Sequence, residues 1–149
     1  MKLLLLDNYL AAIANSVGSK AYQSIFAMVD GRRRDLTQRG TLSCAYFVTA
    51  ILKLSGLLRS IHLTVDGTVK EMRTQGWKKV RGKKLRPGTV LVWGAEQFSD
   101  GPHKHIGFFV GNGRAVSTSY RSRTVRRHHW TYNGKRPVTA AYWHPKLGK

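Results

Sequence analysis

Cys44 is the only cysteine in the chain, and it stands at the head of the apolar run Cys44-Ala45-Tyr46-Phe47-Val48-Thr49-Ala50-Ile51-Leu52. A thiol there can be a small apolar filler or a nucleophile at a helix N-terminus. The unpaired amide donors and the positive end of the helix dipole favour thiolate, and can lower a thiol pKa from ~8.5 toward neutrality. Such a nucleophile needs a base. Six histidines are available, His62, His103, His105, His128, His129 and His144. His105 has the most informative surroundings, because it begins the run His105-Ile106-Gly107-Phe108-Phe109-Val110. In a strand, residues 105, 107 and 109 share one face, and Gly107 leaves room there for another group. His103 reads as solvent-facing in its loop. His128 and His129 lie in a basic tract and read equally well as surface residues.

The elements that must position this pair follow from periodicity. Leu3, Leu6, Leu10, Ile13 and Val17 recur at three- and four-residue steps, which predicts an amphipathic N-terminal helix. Tyr22, Ile25, Phe26 and Val29 suggest a second helix stopped at Asp30-Gly31, followed by a basic polar loop to Gly40. Cys44, Phe47, Val48, Ile51, Leu54 and Leu58 then share the face of a third helix, and a short helix is expected from Asp66 to Thr74. From Trp77 onward the period changes. Residues 77–80, 89–93, 105–110, 115–119 and 138–143 are runs rich in β-branched and aromatic residues, separated by turn residues. Pro87-Gly88 marks a turn, and Gly111-Asn112-Gly113 a hairpin loop. Helices first and sequential strands after predict one α+β domain over residues 1–149, with helices packed on an antiparallel sheet of about five strands.

The chain has 149 residues, enough for one domain with a core. One cysteine excludes an internal disulfide and a cysteine-rich zinc site, and no cofactor or metal is expected. Against 26 Lys and Arg stand 7 Asp and Glu, a net charge of +19 that favours polyanionic partners. The basic residues cluster at Arg32-Arg33-Arg34, at 78–84 and at 121–127. Asp7 and Asn8 interrupt the leading leucines too early for a signal peptide, and no apolar stretch is long enough to span a bilayer. The chain is therefore expected to be cytoplasmic as synthesised and to act as a monomer, reaching any cell wall by release or delivery.

Taken alone, one thiol and one strand imidazole read as a core filler and a surface residue. Three blocks in order change that reading: Thr41-Leu42-Ser43-Cys44-Ala45-Tyr46-Phe47, Leu85-Arg86-Pro87-Gly88-Thr89-Val90-Leu91, and His105-Ile106-Gly107-Phe108-Phe109-Val110-Gly111-Asn112-Gly113. The pattern resembles the NlpC-type cysteine peptidases of bacterial cell walls and the related CHAP amidases, which have a papain-like fold. The resemblance implies that Cys44 is the nucleophile and His105 the general base and acid, with peptidoglycan stem peptides as substrate. It puts the third catalytic position at Ser117, where the family has His, Asn or Gln. The family's Asp-Cys-Ser-Gly is replaced here by Ser43-Cys44-Ala45-Tyr46, so the amine-binding Asp is missing, and Thr89 replaces a common acid.

Strand register bears on the third position. A three-residue loop at 111–113 places Ser117 opposite Gly107, whereas a two-residue Asn112-Gly113 loop gives that face to Thr118. The Cys44 backbone N–H is the expected oxyanion donor. Tyr22 is either a further contributor or an ordinary core tyrosine. The competing reading is a non-catalytic module of papain-like fold whose basic surface holds an anionic polymer, nucleic acid being the less favoured ligand.

Overall fold

Alternation along the central strands splits their side chains between two cores. In the computed structural model, which describes residues 1–81 and 84–148, Val90, Val92, Ile106, Phe108 and Val116 face a large core shared with the helices. Leu91, Trp93, Phe109, Ala115 and Ala141 face a smaller one on the other side. The protein is α+β. Helices α1 (Leu5–Asn15), α2 (Cys44–Leu54) and α3 (Val65–Thr74) accompany a hairpin of β1 (Phe26–Val29) and β2 (Arg32–Asp35). The remaining strands are β3 (Lys78–Lys79), β4 (Val90–Phe98), β5 (Gly101–Gly111), β6 (Arg114–Thr118), β7 (Val125–His129) and β8 (Val138–Trp143). They form one antiparallel sheet in the order β3-β8-β4-β5-β6-β7. Gly82, Lys83 and Lys149 lie outside the described residues, so the basic run at 78–84 is described only in part.

Helix α2 buries Phe47, Val48, Ile51 and Leu52 against this sheet. Phe47 meets Phe108 edge-on at 5.5 Å between ring centroids, and Phe108 meets Tyr9 of α1 at 5.8 Å. Each such pair adds about 0.5–1.5 kcal/mol beyond area burial, which fixes the helix over β5. The expected Pro87-Gly88 turn is present, with Gly88 at φ +100°. The Tyr9 hydroxyl donates to the Gly88 carbonyl at 2.8 Å, which joins α1 to the start of β4.

Two expectations are corrected. The predicted helix over Tyr22 to Val29 does not form: Phe26–Val29 is the first strand of the β1–β2 hairpin. Asp30 and Gly31 both take positive φ, 50° and 74°, the two-residue turn that Asp-Gly favours. Asp35 then ties the hairpin base down, because its carboxylate accepts from the Ser24 and Thr37 hydroxyls and from the N–H groups of Ile25, Thr37 and Arg39. The sheet has six strands rather than about five, since the basic tract Val125-Arg126-Arg127-His128-His129 is itself a strand, β7. It pairs along the whole of β6.

Candidate active site

Cys44 begins α2, as its position at the head of the apolar run implies. The preceding Ser43 does not cap the helix; its hydroxyl donates to the Gly40 carbonyl at 3.1 Å. The first-turn amides, which have no carbonyl partner within the helix, therefore keep their N–H groups without the usual capping oxygen. Cys44 lines a cleft of about 1020 Å³ together with His105, Ser117, His128, Tyr132 and Arg136.

The thiol departs from expectation. Burial pushes the Cys44 pKa above its ordinary value. The N–H groups of Ile106, Ala45 and Cys44, and the Arg136 charge, pull against that shift without cancelling it. The helix terminus moderates the desolvation penalty but does not produce a resting thiolate.

His105 is pushed down to about 3, first by burial, then by the Arg136 charge and, in the acid range where His128 is itself protonated, by His128. Both members of the pair are thus neutral at pH 7. The Arg136 guanidinium donates to the carbonyls of Gly94 and His103 and pairs with Glu96 at 3.0 Å.

Ser117 is where the sequence placed it, by a route that combines both loop alternatives. Asn112 and Gly113 form a two-residue turn, with Gly111 opposite Arg114, but a bulge between Phe109 and Gly111 restores the register. Phe109 therefore pairs with Ala115 and Phe108 with Val116, which sets Ser117 beside Gly107. Ser117 Oγ lies 2.9 Å from His105 Nε2. Thr118 lines the same cleft, while the serine makes the bond to His105. Trp93, the cross-strand partner of His105, lies beside its ring at 5.2 Å between centroids. Tyr22 packs edge-on against Tyr46 and Phe47 as an ordinary core-edge ring.

The other histidines divide clearly. His62 pairs with Glu71, His103 with Asp100, and His144 contacts the Gln75 carbonyl. The His129 Nδ1 accepts from the Thr131 and Asn133 amides. His103 also lines the cleft, but it is His128 that bonds to Ser117, with Nε2 2.7 Å from Ser117 Oγ. Sequence reasoning left it with the surface histidines. Register with β6 puts it there: Ala115 pairs with His128 and Ser117 with Arg126, so His128 and Arg126 share the face of Ser117. Nothing in the sequence marks Tyr132 and Arg136, on the segment between β7 and β8. No group of His, Cys, Asp and Glu suited to a metal ion occurs among the described residues.

Fold and cleft together define an α+β protein in which a helix-terminal thiol, a strand imidazole and a hydroxyl share one concave surface, rimmed by Arg121, Arg126, Arg127 and Lys135. The chain belongs to the bacteriophage peptidoglycan hydrolase family, whose model matches residues 37–146. That span contains Cys44, His105, Ser117 and His128, and the protein is accordingly a peptidoglycan hydrolase. No curated protein matches the chain.

Proposed function

We propose that the protein is a cysteine amidase or peptidase of NlpC-like type that cleaves an amide bond in peptidoglycan stem peptides. His105 takes the Cys44 proton as the thiol sulfur attacks the substrate carbonyl. The same proton passes to the leaving amine as the C–N bond breaks, and water, deprotonated by His105, hydrolyses the thioester. The uncapped first turn of α2 supplies N–H donors for the oxyanion. Ser117 orients the imidazole. The observation that carries this reading is the His105–Ser117 bond in the cleft that also contains Cys44. A neutral resting pair means that proton transfer accompanies attack, in place of a preformed ion pair.

The cationic cleft rim supports attraction of an acidic substrate, and stem peptides carry carboxylates. It equally serves a protein that merely binds polyanions, which makes the test one of chemistry. Alkylation of the single cysteine should abolish hydrolysis of peptidoglycan in proportion to the adduct at Cys44, and His105→Ala should abolish it with the fold retained. Hydrolysis that survives full alkylation would refute the role of the thiol. Polyanion binding without any hydrolysis by the wild type would favour the binding module.

A further inference from the structure

We propose that His128 is a positioning residue which, through Ser117, holds the neutral His105 ring in the tautomer whose Nδ1 is free to take the Cys44 proton. This rests on the reading of His105 as the base.

The hydrogen-bond chain has only one consistent direction. His128 Nδ1 lies 2.8 Å from the His129 carbonyl oxygen. A carbonyl can only accept, so Nδ1 carries the hydrogen, and in a neutral ring Nε2 is then the acceptor. Ser117 Oγ, 2.7 Å from that Nε2, must spend its single hydrogen there. Towards His105 Nε2, at 2.9 Å, Oγ can then only accept. His105 therefore carries its hydrogen on Nε2 and leaves Nδ1 bare. Tyr132, whose hydroxyl is 3.3 Å from Oγ, can join only as a donor. Its ring stacks on His128 at 4.2 Å between centroids and 16° between planes, fixing the imidazole that begins the chain.

This direction holds only while His128 is uncharged. Burial holds its pKa down, with His129 and Arg114 adding to that, while the bond to the His129 carbonyl opposes it. The other groups facing the chain are His105, with Arg136 behind it, and Tyr132. A protonated His128 would donate from both nitrogens and take away the acceptor that directs Ser117. A serine at the third position is a weak partner by itself, and His128 gives that hydroxyl a defined orientation.

Nitrogen-15 NMR of protein labelled in its histidine rings reads the tautomer directly and independently of turnover. At pH 7 the wild type should show His105 with protonated Nε2 and bare Nδ1. His128→Leu should give a mixture of both tautomers. His128→Gln, whose side-chain carbonyl can accept from Ser117, should restore the wild-type signals. Ser117→Ala breaks the chain at its middle link and should also give the mixture, which covers the case of a His128→Leu protein that does not fold. In kinetics, kcat should fall about tenfold in His128→Leu with little change in KM, the scale of one lost hydrogen bond. The double variant Ser117→Ala/His128→Leu should be no worse than Ser117→Ala alone, because the two residues act in series. An unchanged His105 tautomer in His128→Leu, or additive losses in the double variant, would overturn the proposal. Full hydrolysis by Cys44→Ala would instead overturn the proposed mechanism, and the His105 ring signals would still show whether His128 sets the tautomer.

Discussion

Gly107→Ala tests the packing that brings Ser117 to His105. A methyl group at position 107 would lie 2.7 Å from Ser117 Cβ, 2.7 Å from the Val116 carbonyl oxygen and 3.1 Å from the Trp93 ring. Two of these neighbours belong to the backbone or to its first side-chain carbon, so no rotamer change relieves them. Strand β6 or β5 must shift. Overpacking of this kind costs about 1–3 kcal/mol, which for a domain of this size lowers Tm by roughly 2–12 °C. The shift also lengthens the His105–Ser117 bond, so kcat should fall further than the stability change accounts for at a temperature where the variant is folded. Gly94→Ala is the control. Its added methyl meets only the Thr139 methyl group, at 3.2 Å, and it should cost much less. Thermal denaturation by circular dichroism, with turnover on purified peptidoglycan well below Tm, measures both effects. A Gly107→Ala protein with unchanged Tm and unchanged turnover would refute the geometry of the β5–β6 face.

Asp35→Asn should cost about 1–3 kcal/mol, since an amide cannot satisfy all the donors that converge on the carboxylate; urea unfolding checks it. Acid stability should have two windows. His105 is depressed to about 3, so as pH falls from about 6.5 the unfolded chain binds a proton that the folded one refuses, and stability declines down to about pH 3. His105→Ala should reduce that decline and leave the part due to His128, whose pKa burial also holds down. Asp35 is held at about 2 because its hydrogen bonds outweigh its desolvation, and its contribution should be lost lower, between about pH 4 and 2. Arg32, Arg33 and Arg34 are exposed on β2 and do not line the cleft. Changing all three to Gln should weaken binding to whole cell walls at low salt, where exposed charges act beyond ~8 Å, and leave hydrolysis of a small soluble peptide unchanged. Equal losses on both substrates would show that these arginines serve the fold or the site. Arg126 and Arg127 do border the cleft, so their neutralisation is expected to affect both substrates.

The parts of the fold that followed local rules could be read from sequence. The α2 stripe as far as Ile51, the Pro87-Gly88 turn and the β-rich runs each depend on short-range periodicity or on one turn residue, whereas Leu54, expected on the same stripe, is exposed. The Phe26–Val29 segment could not, because Tyr22, Ile25 and Val29 fit a helical spacing equally well. The Asp30-Gly31 turn decides it, by bringing β2 alongside. Strand β7 was hidden by composition: Arg126, Arg127, His128 and His129 look like a solvated tract, and only pairing with β6 makes them a strand. His105 and Ser117 were brought together by register that the sequence could approach, although the bulge at Val110 was needed to set it. The charge state of the thiol was not legible. A helix terminus is visible in sequence, whereas the desolvation that outweighs it depends on what the fold stacks around the sulfur.

The most direct test of the central claim is mass spectrometry of purified peptidoglycan digested in parallel by the wild type, Cys44→Ala and His105→Ala. The wild type should release fragments that gain one water across an amide bond, with a new amine and a new carboxylate, and neither variant should release them. Release of the same amide fragments by Cys44→Ala, or wild-type products cut only at glycosidic bonds, would contradict it.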